Sequence, residues 1–67
     1  MKYYVTRTSK ETGKVQIKQL KTIYQWVDED KKDICHQFSR QGAKSIVDRE
    51  NNGIGARFFV YGMVKAN

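Results

Sequence analysis

The spacing of apolar positions changes several times along this chain, and each spacing predicts an element. Tyr3 to Thr8 is dense in Tyr, Val and Thr, side chains that fit a pleated, half-buried surface. Val15 and Ile17 then alternate with Gln16 and Lys18 at the strand period of two. Between these runs, Lys10-Glu11-Thr12-Gly13-Lys14 reads as a hairpin connection in which Gly13 supplies a positive φ. A three-residue loop sets Lys10 opposite Lys14, Arg7 opposite Ile17 and Val5 opposite Gln19. That register gathers Tyr3, Val5, Val15 and Ile17 on one face and Tyr4, Thr6, Thr8, Gln16, Lys18 and Leu20 on the other. A four-residue loop would mix polar and apolar residues on both faces, which argues against it.

Beyond the hairpin the signals conflict. Leu20, Ile23, Tyr24 and Val27 keep helical spacing, yet Ile23, Tyr24 and Trp26 favour strands, so 22–27 stays open between a short strand and a helical turn. Asp28-Glu29-Asp30 is a helix start, with a capping side chain and acidic residues at the positive end of the dipole. Ile34, Cys35 and Phe38 would share one face of a helix near 29–41, closed by Gly42. Ser45 to Arg49 reads as a short strand. Asn51-Asn52-Gly53 suits a type I′ turn, setting Asp48 opposite Arg57 and Val47 opposite Phe58. Arg57 to Lys65 is the most apolar strand, with large side chains on both faces, as in a central strand or an intermolecular contact. The expected fold is α+β: a small antiparallel β-sheet in ββ-α-ββ order, with one helix packed on one face, in a single compact domain over 1–67.

Length narrows the picture. A domain near 60 residues buries only about 60% of its unfolded surface, so a 67-residue chain has a small core. With a weak core and an apolar last strand, self-association into a homodimer is the expectation. Cys35 is alone, so no internal disulfide forms and no Cys/His framework of zinc spacing exists. No secretory leader or membrane span is readable, since the longest apolar run, Phe58 to Val64, is broken by Gly62 and a spanning helix needs about 20 residues. A lone thiol suits a reducing interior, and the expected location is cytoplasmic.

Catalytic constellations were sought in the remaining polar residues. Asp28, Glu29, Asp30 and Asp33 are nearly consecutive, so on a helix they radiate rather than converge on a metal. Cys35 and His36 are adjacent and point about 100° apart on a helix, unsuited to a nucleophile–base pair. Gly53-Ile54-Gly55 is a turn rather than a phosphate loop. No metal, no cofactor and no enzymatic activity are expected.

Charge carries more. The net charge is +6, and residues 1–21 hold six cations (Lys2, Arg7, Lys10, Lys14, Lys18 and Lys21) against Glu11 alone, giving +5 of it. An excess concentrated on one hairpin fits an anionic partner. The expected function is nucleic-acid binding, DNA before RNA, by a lysine-rich β-hairpin of a small accessory protein. The candidate contacts are Arg7, Lys10, Lys14, Gln16, Lys18, Lys21, Arg40 and Lys44. Lysines would meet phosphates while Gln16 and the threonines reach base edges, the major groove being wide enough for a two-stranded ribbon. The plainer reading of the same hairpin is a solvated edge that lysines protect from aggregation. Trp26, Phe58, Phe59 and Tyr61 are assigned to core packing. The alternative function is a non-enzymatic modulator or inhibitor that binds a protein, such as a larger nucleic-acid-processing enzyme.

Overall fold

The computed structural model describes residues 1–20 and 25–66. Five strands, two short 3-10 turns and one α-helix follow one another among these residues: β1 (Lys2–Ser9), β2 (Val15–Lys18), β3 (Trp26–Asp28), a 3-10 turn (Glu29–Ile34), β4 (Phe38–Ser39), α1 (Arg40–Asn51), a second 3-10 turn (Ile54–Arg57) and β5 (Phe59–Lys65). The strands form one antiparallel, curled half-barrel sheet with the helix packed against it, which is the expected α+β class. The helix falls between the fourth and fifth strands. Residues 22–24, half of the ambiguous stretch, lie outside the described residues; its end, from Trp26, is strand.

β1 occupies the middle of the sheet. Tyr3 pairs with Phe38 of β4 and with Lys65 of β5, and Thr6 pairs with Ile17 of β2 and with Gly62 of β5. So β2 and β4 share one edge of β1 and β5 takes the other, while β3 extends the sheet beyond β2 through Ile17↔Val27. Tyr4, Val5 and Thr6 are consecutive and all buried, so β1 is covered on both faces. On one face Tyr4, Ile17 and Cys35 pack together with Val27 and Ala66. On the other, Val5, Phe38 and Ala43 pack with Tyr3, Trp26, Ile46, Val47 and Met63.

This two-sided burial overturns the expected hairpin register. Arg7 stands opposite Gln16, and Thr6 opposite Ile17, one residue away from the expected pairing. Lys10 to Gly13 form a four-residue loop: Ser9 N–H donates to Lys14 C=O (2.9 Å) and Gly13 N–H to Ser9 C=O (2.8 Å). Ser9 Oγ accepts from the Glu11 and Thr12 amides, and Gly13 takes a φ of 75° that its missing Cβ allows. Mixed faces were held against this loop, but that argument applies only where one face meets water.

The helix also lies elsewhere than expected. Glu29–Ile34 buries no side chain and makes only a kinked 3-10 turn, because acidic residues at a favourable helix end do not replace an apolar stripe to pack. The stripe is Ala43, Ile46 and Val47, at i, i+3 and i+4, so the segment expected as a strand is helical. Ser39 caps it by accepting from Gly42 N–H (3.1 Å), so Gly42 lies in the first turn rather than past the last. Asn51-Asn52-Gly53 closes this helix and forms no hairpin, so Asp48 and Arg57 do not pair. Asn52 Nδ2 donates to Asp48 C=O (2.7 Å).

β5 is an outer strand rather than the central one, and its free edge is partly closed. The Asn51 side chain donates to Tyr61 C=O (3.1 Å) and accepts from Tyr61 N–H (3.0 Å), imitating one residue of a neighbouring strand. Asn51→Ala should lower stability by about 1 kcal/mol in urea unfolding, the typical net worth of such bonding. Asn51→Asp should cost at least as much at neutral pH, since a carboxylate has no proton for the Tyr61 carbonyl. Equal midpoints for Asn51→Ala and the parent would show that the edge contact adds nothing.

Candidate nucleic-acid interface

The eight candidate residues do not form one surface. Lys10 opens the β1–β2 loop and Lys14 follows it, at the Ser9 end of β1. Arg40 follows Ser39, which pairs with Lys2 at the other end of that strand, roughly 20 Å away at the strand rise. Lys44 lies on the solvent side of α1 and bonds Asp48 (3.3 Å). Lys21 lies outside the described residues.

Lys18 is also withdrawn from any surface role. The structure buries it to 2% exposure on the face that carries the helix, with its ammonium donating to Leu20 C=O (2.6 Å). In the expected register this side chain pointed to water; the observed two-sided sheet encloses it. Burial lowers its pKa from 10.5, the nearby Arg49 cation lowers it further, and Glu50 pulls the other way.

Arg7 and Gln16 are brought together in a way the sequence did not suggest. Arg7 Nε donates to Gln16 Oε1 (2.7 Å), which fixes the plane of the guanidinium. One side of Arg7 lies 4.0 Å from the Phe59 ring centre, and the Trp26 ring centre is 4.7 Å from the same carbon. Tyr61 completes the group, 5.8 Å from Trp26 and 6.2 Å from Phe59, both tilted by 58°. Strand alternation explains the grouping: Arg7, Trp26, Phe59 and Tyr61 all project on the helix-bearing face, where Trp26 also packs against the Val5–Phe38–Ala43 cluster. Arg7, Trp26 and Phe59 are half-buried.

Around this platform stand exposed cations. Lys14 is bonded to Asp28 (3.2 Å), a solvent-facing pair of small net worth that an incoming anion can displace. Lys10 Nζ donates to Ala56 C=O (2.6 Å), tying the loop to the second 3-10 turn. Arg57 projects from that turn. Together with Ser9, Glu11, Phe58 and Phe59, Lys10 and Arg57 line a cleft of about 440 Å³. The expected contacts leave out Arg57, and of the four aromatics assigned to the core, Phe58 is 62% exposed while Trp26 and Phe59 are half-buried. The signal available was the basic–aromatic run from Arg57 to Tyr61; Tyr61 alone of its aromatics is fully buried.

The residues weighed for catalysis are occupied otherwise. Cys35 is buried against Tyr4 and Ile17, its thiol pKa raised by that burial, so it stays protonated at neutral pH. His36 sets its ring edge-on to Phe38 (4.5 Å). Among the described residues, no group of three His, Cys, Asp or Glu side chains converges as a metal site, and no helix is long and apolar enough to cross a membrane.

Comparison with profiles of known protein families, with curated proteins and with solved structures found no significant match to this chain.

Burial of Lys18 makes stability depend on alkaline pH. Its folded-state pKa lies below the unfolded 10.5, so between the two values the unfolded chain holds more protons and stability rises with pH. The penalty of the buried charge is fully present below the folded pKa and gone above 10.5. In urea unfolding from about pH 8 upward, the parent should gain stability relative to Lys18→Met as the solution approaches pH 10.5. A difference between the two proteins that does not vary with pH would rule out this coupling.

Proposed function

We propose that this protein binds nucleic acid at the hairpin end of its sheet, takes a single strand rather than a duplex groove, and does no chemistry on it. The observation that supports this reading best is Arg7, held flat by Gln16 between Phe59 and Trp26. Proteins that take single strands combine aromatic surfaces for bases with cations that follow the backbone, each stacked base being worth about 1–3 kcal/mol. Here the aromatic surfaces are those of Phe59 and Trp26, which Arg7 bridges, and the cations that would follow a backbone are Lys10, Lys14 and Arg57. A β-ribbon in a major groove is less well supported, because Lys18 is enclosed and Arg7 and Gln16 are engaged with each other. DNA is the working substrate, in a cytoplasmic setting that would keep the Cys35 thiol reduced.

A second reading is favoured by a different observation. Val60 and Val64, on the opposite face of β5, are 55% and 49% exposed. They could meet a protein of a nucleic-acid-processing complex or a second copy of the chain. Association that survives nuclease treatment would favour this reading over the first.

Trp26 is the sole tryptophan and lies within the platform, so its fluorescence reports on the surface directly. Titration with an oligothymidylate should quench it saturably. With three phosphate contacts the salt slope on a single strand is about −2, so affinity should fall about 20-fold between about 50 and 200 mM salt. Phe59→Leu keeps bulk but removes the ring face, and should weaken binding roughly 5- to 10-fold. Absence of any quench at the lower salt, with DNA or RNA, would refute the nucleic-acid reading.

A further inference from the structure

The cleft beside the platform is lined by two aromatic rings, two cations and one carboxylate, and shares Phe59 with the ring group around Arg7. Lys10 N–H donates to Phe58 C=O (2.9 Å), Lys10 Nζ to Ala56 C=O (2.6 Å), and Phe58 N–H to Gly55 C=O (3.0 Å). Ser9 Oγ holds the other wall through the Glu11 and Thr12 amides. The loop and the 3-10 turn are thus cross-tied, and the cleft between them has fixed walls. Gly55 lets the 3-10 turn lie close over Tyr61, because a Cβ there would run into the Tyr61 hydroxyl. At about 440 Å³ the space falls at the small-molecule end of binding sites, which span about 300–1,000 Å³.

We propose that this cleft is a subsite for one nucleotide unit, with a base stacked on Phe58 and its 5′-phosphate between Arg57 and Lys10; the proposal rests on the single-strand reading above and assigns that surface its anchoring position. Phe58 is 62% exposed, a large apolar ring that the fold leaves uncovered. Lys10 uses one ammonium proton on Ala56 and keeps two for a phosphate. Arg57 presents a planar fork whose spacing matches phosphate oxygens. Glu11 stands on the rim, where it opposes a phosphate on the loop side and leaves the Arg57 side favoured. The two positive charges against one negative select a monoanionic or dianionic ligand over a neutral nucleoside.

Thymidine 5′-monophosphate is the probe, with thymidine as its phosphate-free control. In an ¹H–¹⁵N titration, the monophosphate should shift the amides of Ser9 to Glu11 and Arg57 to Phe59 saturably in the millimolar range, and thymidine should bind at least tenfold more weakly. Phe58→Ala and Arg57→Gln should each weaken the monophosphate threefold or more, while Glu11→Gln tightens it about twofold. All three side chains are exposed, so the remaining spectrum should be unchanged. Equal binding of thymidine and its monophosphate, no shifts in these two segments, or unaltered affinity in both weakening variants would overturn the subsite. If oligothymidylate still quenches Trp26 in that case, the subsite alone fails and the strand-binding surface stands. If oligothymidylate leaves Trp26 unquenched, both fail together.

Discussion

The structure depends on β1 being paired on both edges and covered on both faces. Tyr4, Val5 and Thr6 are buried in sequence, which a 67-residue chain achieves by curling its sheet so that each side of one strand meets a different small cluster. One cluster is closed by Cys35 and Ala66, the other by the Ala43-Ile46-Val47 stripe of α1. Neither is large. What makes them sufficient is that they share β1, so every strand of the sheet except β3 is secured by direct pairing with it.

The same curl sorts the positive charges. On the helix-bearing side, Lys18 is enclosed near Arg49 and Glu50 of α1, and Arg7, two residues along β1 from Val5, is half-buried. One cation is therefore held at a cost that alkaline pH relieves, and the other becomes a half-exposed plane between two rings. Position on the sheet, not residue type, separates the interior charge from the half-exposed one.

How much of this was legible in the sequence follows from the kind of signal each element left. The antiparallel sheet with one helix was readable from the Tyr/Val/Thr density of 3–8, the alternation at 15–18 and the apolar run at 58–64. The hairpin register was not, because alternation identifies a register only when water lies on one side. The helix was misplaced because local end signals at Asp28-Glu29-Asp30 outweighed a short stripe at Ala43, Ile46 and Val47 whose branched residues look like strand. Asn51-Asn52-Gly53 matches a hairpin turn in composition, but none of the three takes a positive φ, and the Asn52 and Gly53 amides instead bond back to the Arg49 and Glu50 carbonyls at the helix end. The basic–aromatic run at 57–61 is visible in the sequence, but which of its rings meets water is set by tertiary packing: Tyr61 is buried, Phe59 half-buried and Phe58 exposed.

The pairing of Tyr3 with Lys65 has a kinetic side. The strand at the centre of the sheet gains its second edge only when segments some 60 residues apart in sequence meet, a closure whose entropy must be met before its contacts form. Such non-local pairing slows folding relative to helical proteins of the same size. Until β5 docks, β1 offers an unpaired edge rich in Tyr, Val and Thr to any other chain at hand. The lysines at the loop, and Lys2 and Arg7 within that strand, then act as gatekeepers of the journey, before any of them serves the folded protein.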